Sequence, residues 1–261
     1  MAELTIQRDT ALVGVDEVDG LQIAWSVTCH VGRIRDTNED AALVAPGRYL
    51  LADGMGGHDS GELASEAALL TLADVPVGGS LTQTREALAE LLNTAQDRIG
   101  ELGPDSARRA GTTATGVVLA ADDDQPHWVA FNIGDSRTYL FSAGELTQVS
   151  VDHSQVQEMV DGGFLTPAQA RVDPRRNVIT RALGAGMTVP EADYFAFGVK
   201  PGDIVLLCSD GLNGELTDDE IELILTESDD LEIATAALVE AALECGAHDN
   251  VTVVAVGVVD A

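Results

Sequence analysis

The chain has 261 residues, a length typical of one compact domain, and its 45% of hydrophobic residues is enough for a buried core. Its 14 Lys and Arg against 44 Asp and Glu give a formal charge of −30, which disfavours binding to nucleic acid. The first residues lack a signal-peptide pattern and no segment is apolar enough to span a bilayer, so we expect a cytoplasmic protein without membrane contact. Cys29, Cys208 and Cys245 lie in apolar segments and are predicted to be buried, reduced thiols.

Runs of alternating or continuous apolar residues predict strands along most of the chain. They lie at residues 23–29, 41–45, 48–52, 112–120, 127–134, 136–150, 192–199, 203–208 and 251–258. The pair Ala143-Gly144 is a turn signal and predicts a hairpin inside the run 136–150. We interpret the three runs between residues 112 and 150 as one antiparallel meander.

Apolar residues at helical spacing predict two pairs of helices. They lie at residues 61–73, 82–102, 217–225 and 231–244. Strands interrupted by helix pairs predict an α+β fold, in which two packed antiparallel sheets form a sandwich with helices outside. Residues 152–187 are rich in Gly, Pro and Arg, and short helical pieces at 154–161 and 167–171 mark them as an excursion from the sheets. Residues 1–20 are predicted to be an N-terminal extension, with an edge strand at Leu4–Ile6.

Several acidic residues stand at the ends of predicted strands. Asp53 and Asp210 each end an apolar run before a glycine, Asp249 stands just before the last strand, and Glu39 and Asp40 precede another. Each of them taken alone is most simply a turn-capping residue. Together they form a set of oxygen ligands that suits Mg²⁺ or Mn²⁺ better than zinc, and the few arginines cannot neutralise them all.

Seven segments, in this order along the chain, resemble the motifs of the bacterial type 2C (PPM family) metal-dependent protein serine/threonine phosphatases. They are RDTNED (35–40), ADGMGGH (52–58), GTT (111–113), GDSR (134–137), NVITRALG (177–184), SDGL (209–212) and HDNVT (248–252). The resemblance implies a catalytic domain over residues 21–261, including a flap subdomain at about 152–187. It also implies a central antiparallel β-sandwich flanked by pairs of helices, an αββα arrangement of four layers, which agrees with the predicted layers.

The resemblance implies a centre with two Mn²⁺ or Mg²⁺ ions. Asp53 would bridge them, with the Gly54 carbonyl and a water held by Glu39 on one ion, and with Asp210 and Asp249 on the other. Two such ions lower the pKa of a shared water, which then attacks phosphorus as hydroxide. The implied activity is hydrolysis of phosphoserine and phosphothreonine in proteins, without a covalent phosphoenzyme.

Two further residues of the first motif receive roles from the resemblance. Arg35 stands at the position that grips the substrate phosphate, a task suited to a guanidinium. The alternative is a surface arginine paired with Asp36 or Glu39. Asp40 would support Glu39 or its loop from behind, as groups around metal ligands commonly do.

Asp135 is implied to join Asp210 in holding a third metal ion, and the alternative is a turn carboxylate paired with Arg137. Met55 stands where the animal branch of the family has a histidine, so the general acid of that branch does not transfer to this chain. We interpret His58, in the same glycine-rich turn, as a residue that orders the loop.

The implied partners are phosphorylated proteins, together with Ser/Thr kinases and their substrates, and we expect a monomer. One alternative is a phosphatase devoted to a narrow set of regulatory phosphoproteins. Another, from a different class, is a phosphatase-like binding module without activity. That module would be expected to lack a ligand position, whereas all the positions discussed above are present.

Overall fold

The computed structural model describes residues 5–56, 59–102, 110–123 and 125–259. In this part of the chain, two antiparallel sheets lie face to face. The six-stranded sheet has the order β1-β2-β14-β13-β9-β10, formed by β1 (Ala11–Val18), β2 (Leu21–His30), β9 (Arg137–Ser142), β10 (Glu145–Gln148), β13 (Ile204–Cys208) and β14 (Val251–Val258). The five-stranded sheet has the order β12-β8-β7-β4-β3, formed by β3 (Ala41–Ala45), β4 (Arg48–Ala52), β7 (Ala114–Asp122), β8 (Gln125–Ile133) and β12 (Asp193–Gly198).

A helix pair covers the outer face of each sheet. Helices α1 (Asp59–Leu72) and α2 (Leu81–Glu101) bury apolar side chains against the five-stranded sheet. Helices α6 (Asp218–Glu227) and α7 (Leu231–Cys245) do the same on the six-stranded sheet. A third apolar cluster fills the space between the sheets, and the predicted α+β sandwich with outer helices is confirmed.

The predicted flap, residues 152–187, contains two short helices, α3 (Gln155–Asp161) and α4 (Pro167–Ala170), close to the predicted helical pieces. A small sheet of two-residue strands has the order β11-β6-β5, with β5 (Gly54–Met55), β6 (Gly111–Thr112) and β11 (Leu183–Gly184). Helix α5 (Asp210–Asn213) is a single turn that follows β13. None of the described helices combines the length and apolarity needed to cross a bilayer.

The predicted meander is wrong in one respect. Strands β7 and β8 pair in the five-stranded sheet, whereas β9 and β10 belong to the six-stranded sheet. The chain crosses between the sheets at residues 134–136, which an apolar pattern does not reveal because each strand has the same period in either sheet. The hairpin at Ala143-Gly144 is confirmed, with φ of 54° and 84°.

The edge strand of the N-terminal extension lies further along than predicted. Leu4 is outside the described residues, while Thr5 and Ile6 belong to no strand. Strand β1 pairs with β2 instead, as the edge of the six-stranded sheet. Before β1, Gln7 forms an isolated bridge with Ala42 of β3, so the extension reaches both sheets.

The cysteine prediction holds for two of three residues. Cys29 and Cys208 are buried free thiols, and burial raises the pKa of each to about 12. Cys245 is free but exposed, which corrects the prediction. It is the last residue of α7, and the chain leaves the helix at Gly246 with φ 131°, so its apolar sequence neighbours do not cover it.

Candidate metal centre and phosphate site

The acidic residues singled out in the sequence meet at one end of the sandwich because of strand pairing. Ala41 at the start of β3 lies opposite Ala52 at the end of β4, which brings Asp40 beside Asp53. Strands β13 and β14 are also antiparallel neighbours, so the end of one, followed by Asp210, lies near the start of the other, preceded by Asp249. Asp135 comes to the same end from the crossing between β8 and β9, the feature that the predicted meander had missed.

Mutual repulsion and removal from water raise the pKa values of these carboxyl groups. Burial raises the pKa of Asp53 well above its usual value, and the charges of Asp40, Asp210 and Asp135 add to the effect. Burial and neighbouring carboxylates raise the pKa of Asp40 to about 7 and that of Asp210 to about 6. The negative charge of this cluster therefore calls for cations.

Buried carboxylate oxygens that accept no hydrogen bond also indicate a site for cations. In the described part of the chain, four carboxylate oxygens are enclosed and make no hydrogen bond: Glu39 Oε1, Asp40 Oδ2, Asp135 Oδ1 and Asp210 Oδ1. Leaving such groups unpartnered is costly, and bound hard cations would relieve that cost. The oxygen-rich donor set thus fits Mn²⁺ or Mg²⁺.

Among the described side chains, no group of three or more from His, Cys, Asp and Glu is placed so that it could hold one metal ion. The ligand set implied by the resemblance also draws on a backbone carbonyl and water besides carboxylates. The assignment of individual ligands therefore remains a prediction.

The backbone around Asp53 is fixed by the GTT segment. The Asp53 amide donates to Thr113 Oγ1 at 2.9 Å, and the Asp53 carbonyl accepts from the Thr113 amide and from Thr112 Oγ1, each at 2.9 Å. Gly54 follows in close contact with another glycine, since a Cβ at Gly54 would overlap the Gly61 carbonyl. Only glycine leaves room for this approach, which explains the Asp-Gly pair at the end of β4.

Asn250 joins two segments of the site, a role that the sequence did not reveal. Its Oδ1 accepts the Glu39 amide at 2.8 Å. Its Nδ2 donates to the carbonyls of Val31 and Thr37, at 2.8 and 3.0 Å. The loop before β3 is thereby tied to the residue that follows Asp249.

Arg35 lies at the rim of the cluster and contacts a carboxylate predicted to bind metal. Its Nη2 is 2.6 Å from Asp249 Oδ2, and its side chain is 49% exposed, so it remains accessible to a ligand from solvent. The alternative pairing with Asp36 or Glu39 is not found as a hydrogen bond among the described residues. The arrangement leaves an exposed guanidinium directly beside the acidic cluster.

Asp135 is buried, with 6% of its surface exposed. The alternative of a turn carboxylate hydrogen-bonded to Arg137 is not found, because Arg137 donates instead to Asp152 at 2.7 and 2.8 Å and to Tyr139. The adjacent Gly134 amide donates to Nδ1 of His153 at 3.1 Å, which fixes the turn that carries Asp135. Asp135 thus stays available to a cation.

A groove of about 480 Å³ opens beside the cluster, between the flap and helices α5 and α6. Asp135 and Asp210 belong to its lining, together with Arg171 and Arg176 of the flap. Arg171 donates to the carbonyl of Asn213 at 3.0 Å, which joins the flap to the end of α5. His58 lies outside the described residues.

The chain belongs to the protein phosphatase 2C family, whose model, "Protein phosphatase 2C", matches residues 35–246. It is 40% identical over 245 residues to the serine/threonine protein phosphatase PstP of Mycobacterium tuberculosis, covering 92% of this chain. It is 36% identical over 236 residues to the protein phosphatase PhpP of Streptococcus pneumoniae, covering 87% of this chain and 94% of PhpP. The crystal structure of the PstP catalytic domain in complex with two manganese ions superimposes with a TM-score of 0.77 at 36% identity, covering 91% of this chain and 99% of that one. The chain spans about half of PstP, 46% of its length.

Proposed function

We propose that the chain hydrolyses phosphoserine and phosphothreonine in proteins, with Mn²⁺ or Mg²⁺ as its cofactor. The observation that carries the proposal is the meeting of buried, partner-poor carboxylates with an exposed arginine at one end of the sandwich. Membership of the protein phosphatase 2C family supports it. The two manganese ions in the PstP catalytic domain support the choice of metal.

The predicted ligands are those implied by the motifs. Asp53 would hold both ions, with the Gly54 carbonyl and a water held by Glu39 at one position, and with Asp210 and Asp249 at the other. Asp135 joins Asp210 at a third, weaker position. Bound ions would supply one piece of chemistry, a lower pKa for a shared water, so that hydroxide could attack phosphorus directly and no phosphoenzyme would be needed.

Residues of the chain itself bind and orient the substrate. The guanidinium of Arg35 binds phosphate oxygens and holds the group beside the acidic cluster. The groove between the flap and α6 gives the polypeptide around the phosphorylated residue a place to lie. Asp40 is only 1% exposed, and we assign it to the support of Glu39 or its loop.

We propose phosphorylated proteins as partners, with Ser/Thr kinases acting on the same substrates in the opposite direction. The formal charge of −30 favours protein partners over nucleic acid. A monomer in the cytoplasm remains our expectation. A family member devoted to one regulatory phosphoprotein would share the same chemistry and differ only in the range of peptides it accepts.

The proposal is tested by the release of phosphate from phosphothreonine and phosphoserine peptides with Mn²⁺, Mg²⁺ or a chelator. Asp210→Asn is the site variant, and Asp229→Asn, at an exposed aspartate between α6 and α7, is the matched control. Turnover that needs metal, is lost in Asp210→Asn and persists in Asp229→Asn is the expected result. A folded wild-type chain that binds Mn²⁺ without turnover would favour the binding-module alternative.

A further inference from the structure

One arginine of the N-terminal extension, Arg8, lies against the loop that carries Glu39 and Asp40. Arg8 precedes β1, outside the family match that begins at residue 35, and only 14% of its side chain is exposed. Its guanidinium donates to the carbonyls of Asp40 at 2.7 Å, Glu62 at 2.6 Å and Asn38 at 3.2 Å. It also donates to Ser65 Oγ at 3.1 Å and lies 3.8 Å from Glu62 Oε1.

These contacts reach two segments at once. Asn38 and Asp40 flank Glu39 in the loop before β3, while Glu62 belongs to the first turn of α1. A planar guanidinium with several fixed donors is suited to hold carbonyl groups of different segments in one arrangement, which a lysine ammonium does less well. Arg8 therefore fixes the loop against the helix.

The constraint extends to the groups that face the site. The Asn38 carbonyl and the Glu39 amide belong to the same planar peptide group. Because Arg8 holds this carbonyl, the amide is oriented toward Asn250 Oδ1. Ser65 Oγ, the neighbour of Arg8, donates to the Glu39 carbonyl at 2.7 Å. That carbonyl also accepts the Gly54 amide at 3.2 Å, so the network runs from Arg8 to the Asp-Gly pair.

Adjacent residues of the extension reinforce the same contact. Asp9 Oδ1 accepts from Asn38 Nδ2 at 2.9 Å. Gln7 exchanges both backbone hydrogen bonds with Ala42 of β3, at 2.8 and 3.1 Å. Three successive residues of the extension, Gln7, Arg8 and Asp9, thus contact β3 and the loop before it, and Arg8 makes the buried contacts.

We propose that Arg8 is a positioning residue for the metal centre, which holds the loop carrying Glu39 and Asp40 in the geometry that binds metal. The inference rests on the proposed function, since it assigns that loop to a metal site. It adds a part to the centre that lies outside the matched family region.

The test compares Arg8→Met with Arg48→Met in the full chain. Arg48 is a matched control because its Nε donates to a single carbonyl, that of Val75 at 2.6 Å, and it lies at the opposite end of β4 from Asp53. Mn²⁺ binding is followed by electron paramagnetic resonance of the free ion. We expect Arg8→Met to weaken Mn²⁺ binding about tenfold and Arg48→Met to change it less than about twofold.

The direction of the change in Mn²⁺ affinity distinguishes a positioning role of Arg8 from a direct effect of its charge on the bound ion. Removing a positive charge near carboxylates would by itself strengthen binding of a cation. Weaker binding in Arg8→Met therefore reports a displaced loop. Arg8→Lys keeps the charge without the fork of donors and is expected to fall between wild type and Arg8→Met.

Hydrogen exchange provides a readout that does not depend on metal or turnover. In metal-free protein, amides of residues 38–56 are expected to exchange about tenfold faster in Arg8→Met and unchanged in Arg48→Met. If Arg8→Met does not fold, Ser65→Ala removes the link to the Glu39 carbonyl, and about a threefold loss of Mn²⁺ affinity is expected.

Equal loss of thermal stability in Arg8→Met and Arg48→Met, with Mn²⁺ affinity and exchange within about twofold of wild type, would overturn the inference. For Ser65→Ala, unchanged Mn²⁺ affinity would do the same. A wild-type chain that binds no Mn²⁺ would instead count against the proposed function, and the exchange comparison alone would then decide the role of Arg8.

Discussion

Arg35 Nη2 lies 2.6 Å from Asp249 Oδ2, so the residue assigned to the substrate phosphate is paired with a predicted metal ligand. Both groups are partly exposed, with 49% and 32% of their side chains accessible. A metal ion and the Arg35 guanidinium would compete for the same carboxylate oxygen. Binding of metal is therefore expected to free Arg35 for phosphate.

That competition predicts that removing the Arg35 side chain weakens substrate binding but does not weaken Mn²⁺ binding. Arg35→Ala should raise KM for a phosphothreonine peptide about tenfold or more, because a charge-assisted contact to phosphate is lost. It should leave Mn²⁺ affinity unchanged or tighter, because a competing cation is gone. Steady-state kinetics and direct Mn²⁺ titration measure the two effects.

Arg33→Ala is the control. Arg33 lies two residues before Arg35 in the chain, and it donates to the Leu243 carbonyl at 2.7 Å. It should leave both quantities near their wild-type values. If Arg35→Ala weakened Mn²⁺ binding and left KM alone, Arg35 would act on the metal side rather than on the substrate.

The acidic cluster should make the metal-free protein less stable as pH rises. The pKa of Asp40 is raised by burial to about 7, and that of Asp210 to about 6. Because the folded state holds these protons more tightly than the unfolded chain, their stabilising effect is full below about pH 4 and is lost as pH rises through 6 and 7. Thermal unfolding with a chelator should therefore give a lower Tm at pH 8 than at pH 5.5.

The variant Asp40→Asn isolates this effect. It removes one buried carboxylate while keeping a similar shape, so Tm at pH 8 in chelator should rise by about 5 °C and the dependence on pH should become shallower. An unchanged pH profile in Asp40→Asn would show that this carboxyl does not titrate in the window.

Gly211, which follows Asp210, lies very close to the backbone of Asn250, which follows Asp249, and a substitution at Gly211 tests this contact. A Cβ at this position would overlap the Asn250 carbonyl, and Asn250 holds the Glu39 amide. Gly211→Ala should cost about 2 kcal/mol, or roughly 6 °C in Tm, and should weaken Mn²⁺ binding.

Gly198→Ala is the matched control for that substitution. Among the described residues, no atom lies within 4 Å of its added Cβ, and its φ is not positive. Differential scanning calorimetry of the two variants should show a large shift for the first and a small one for the second. Equal shifts would mean that the contact with the Asn250 carbonyl does not set the cost, because loss of glycine flexibility by itself stabilises the folded state.

The sequence predicts the end of the sandwich where the acidic residues meet, because strands with a common register bring their ends together. It does not predict which sheet a strand joins, so the crossing at residues 134–136 was missed although the motif containing Asp135 was identified. Arg8, Ser65 and Asn250 were also missed. They act through backbone carbonyls and amides of distant segments, and such contacts leave no pattern in composition or periodicity.

The number of Mn²⁺ ions bound by the purified chain tests the central claim most directly. Equilibrium dialysis with metal analysis should find at least two ions per wild-type chain, fewer in Asp249→Asn, and none bound tightly in Asp53→Asn, the predicted bridge. Asp229→Asn should match wild type. Fewer than two ions in wild type, or full occupancy in Asp53→Asn, would contradict a two-ion centre at this end of the sandwich.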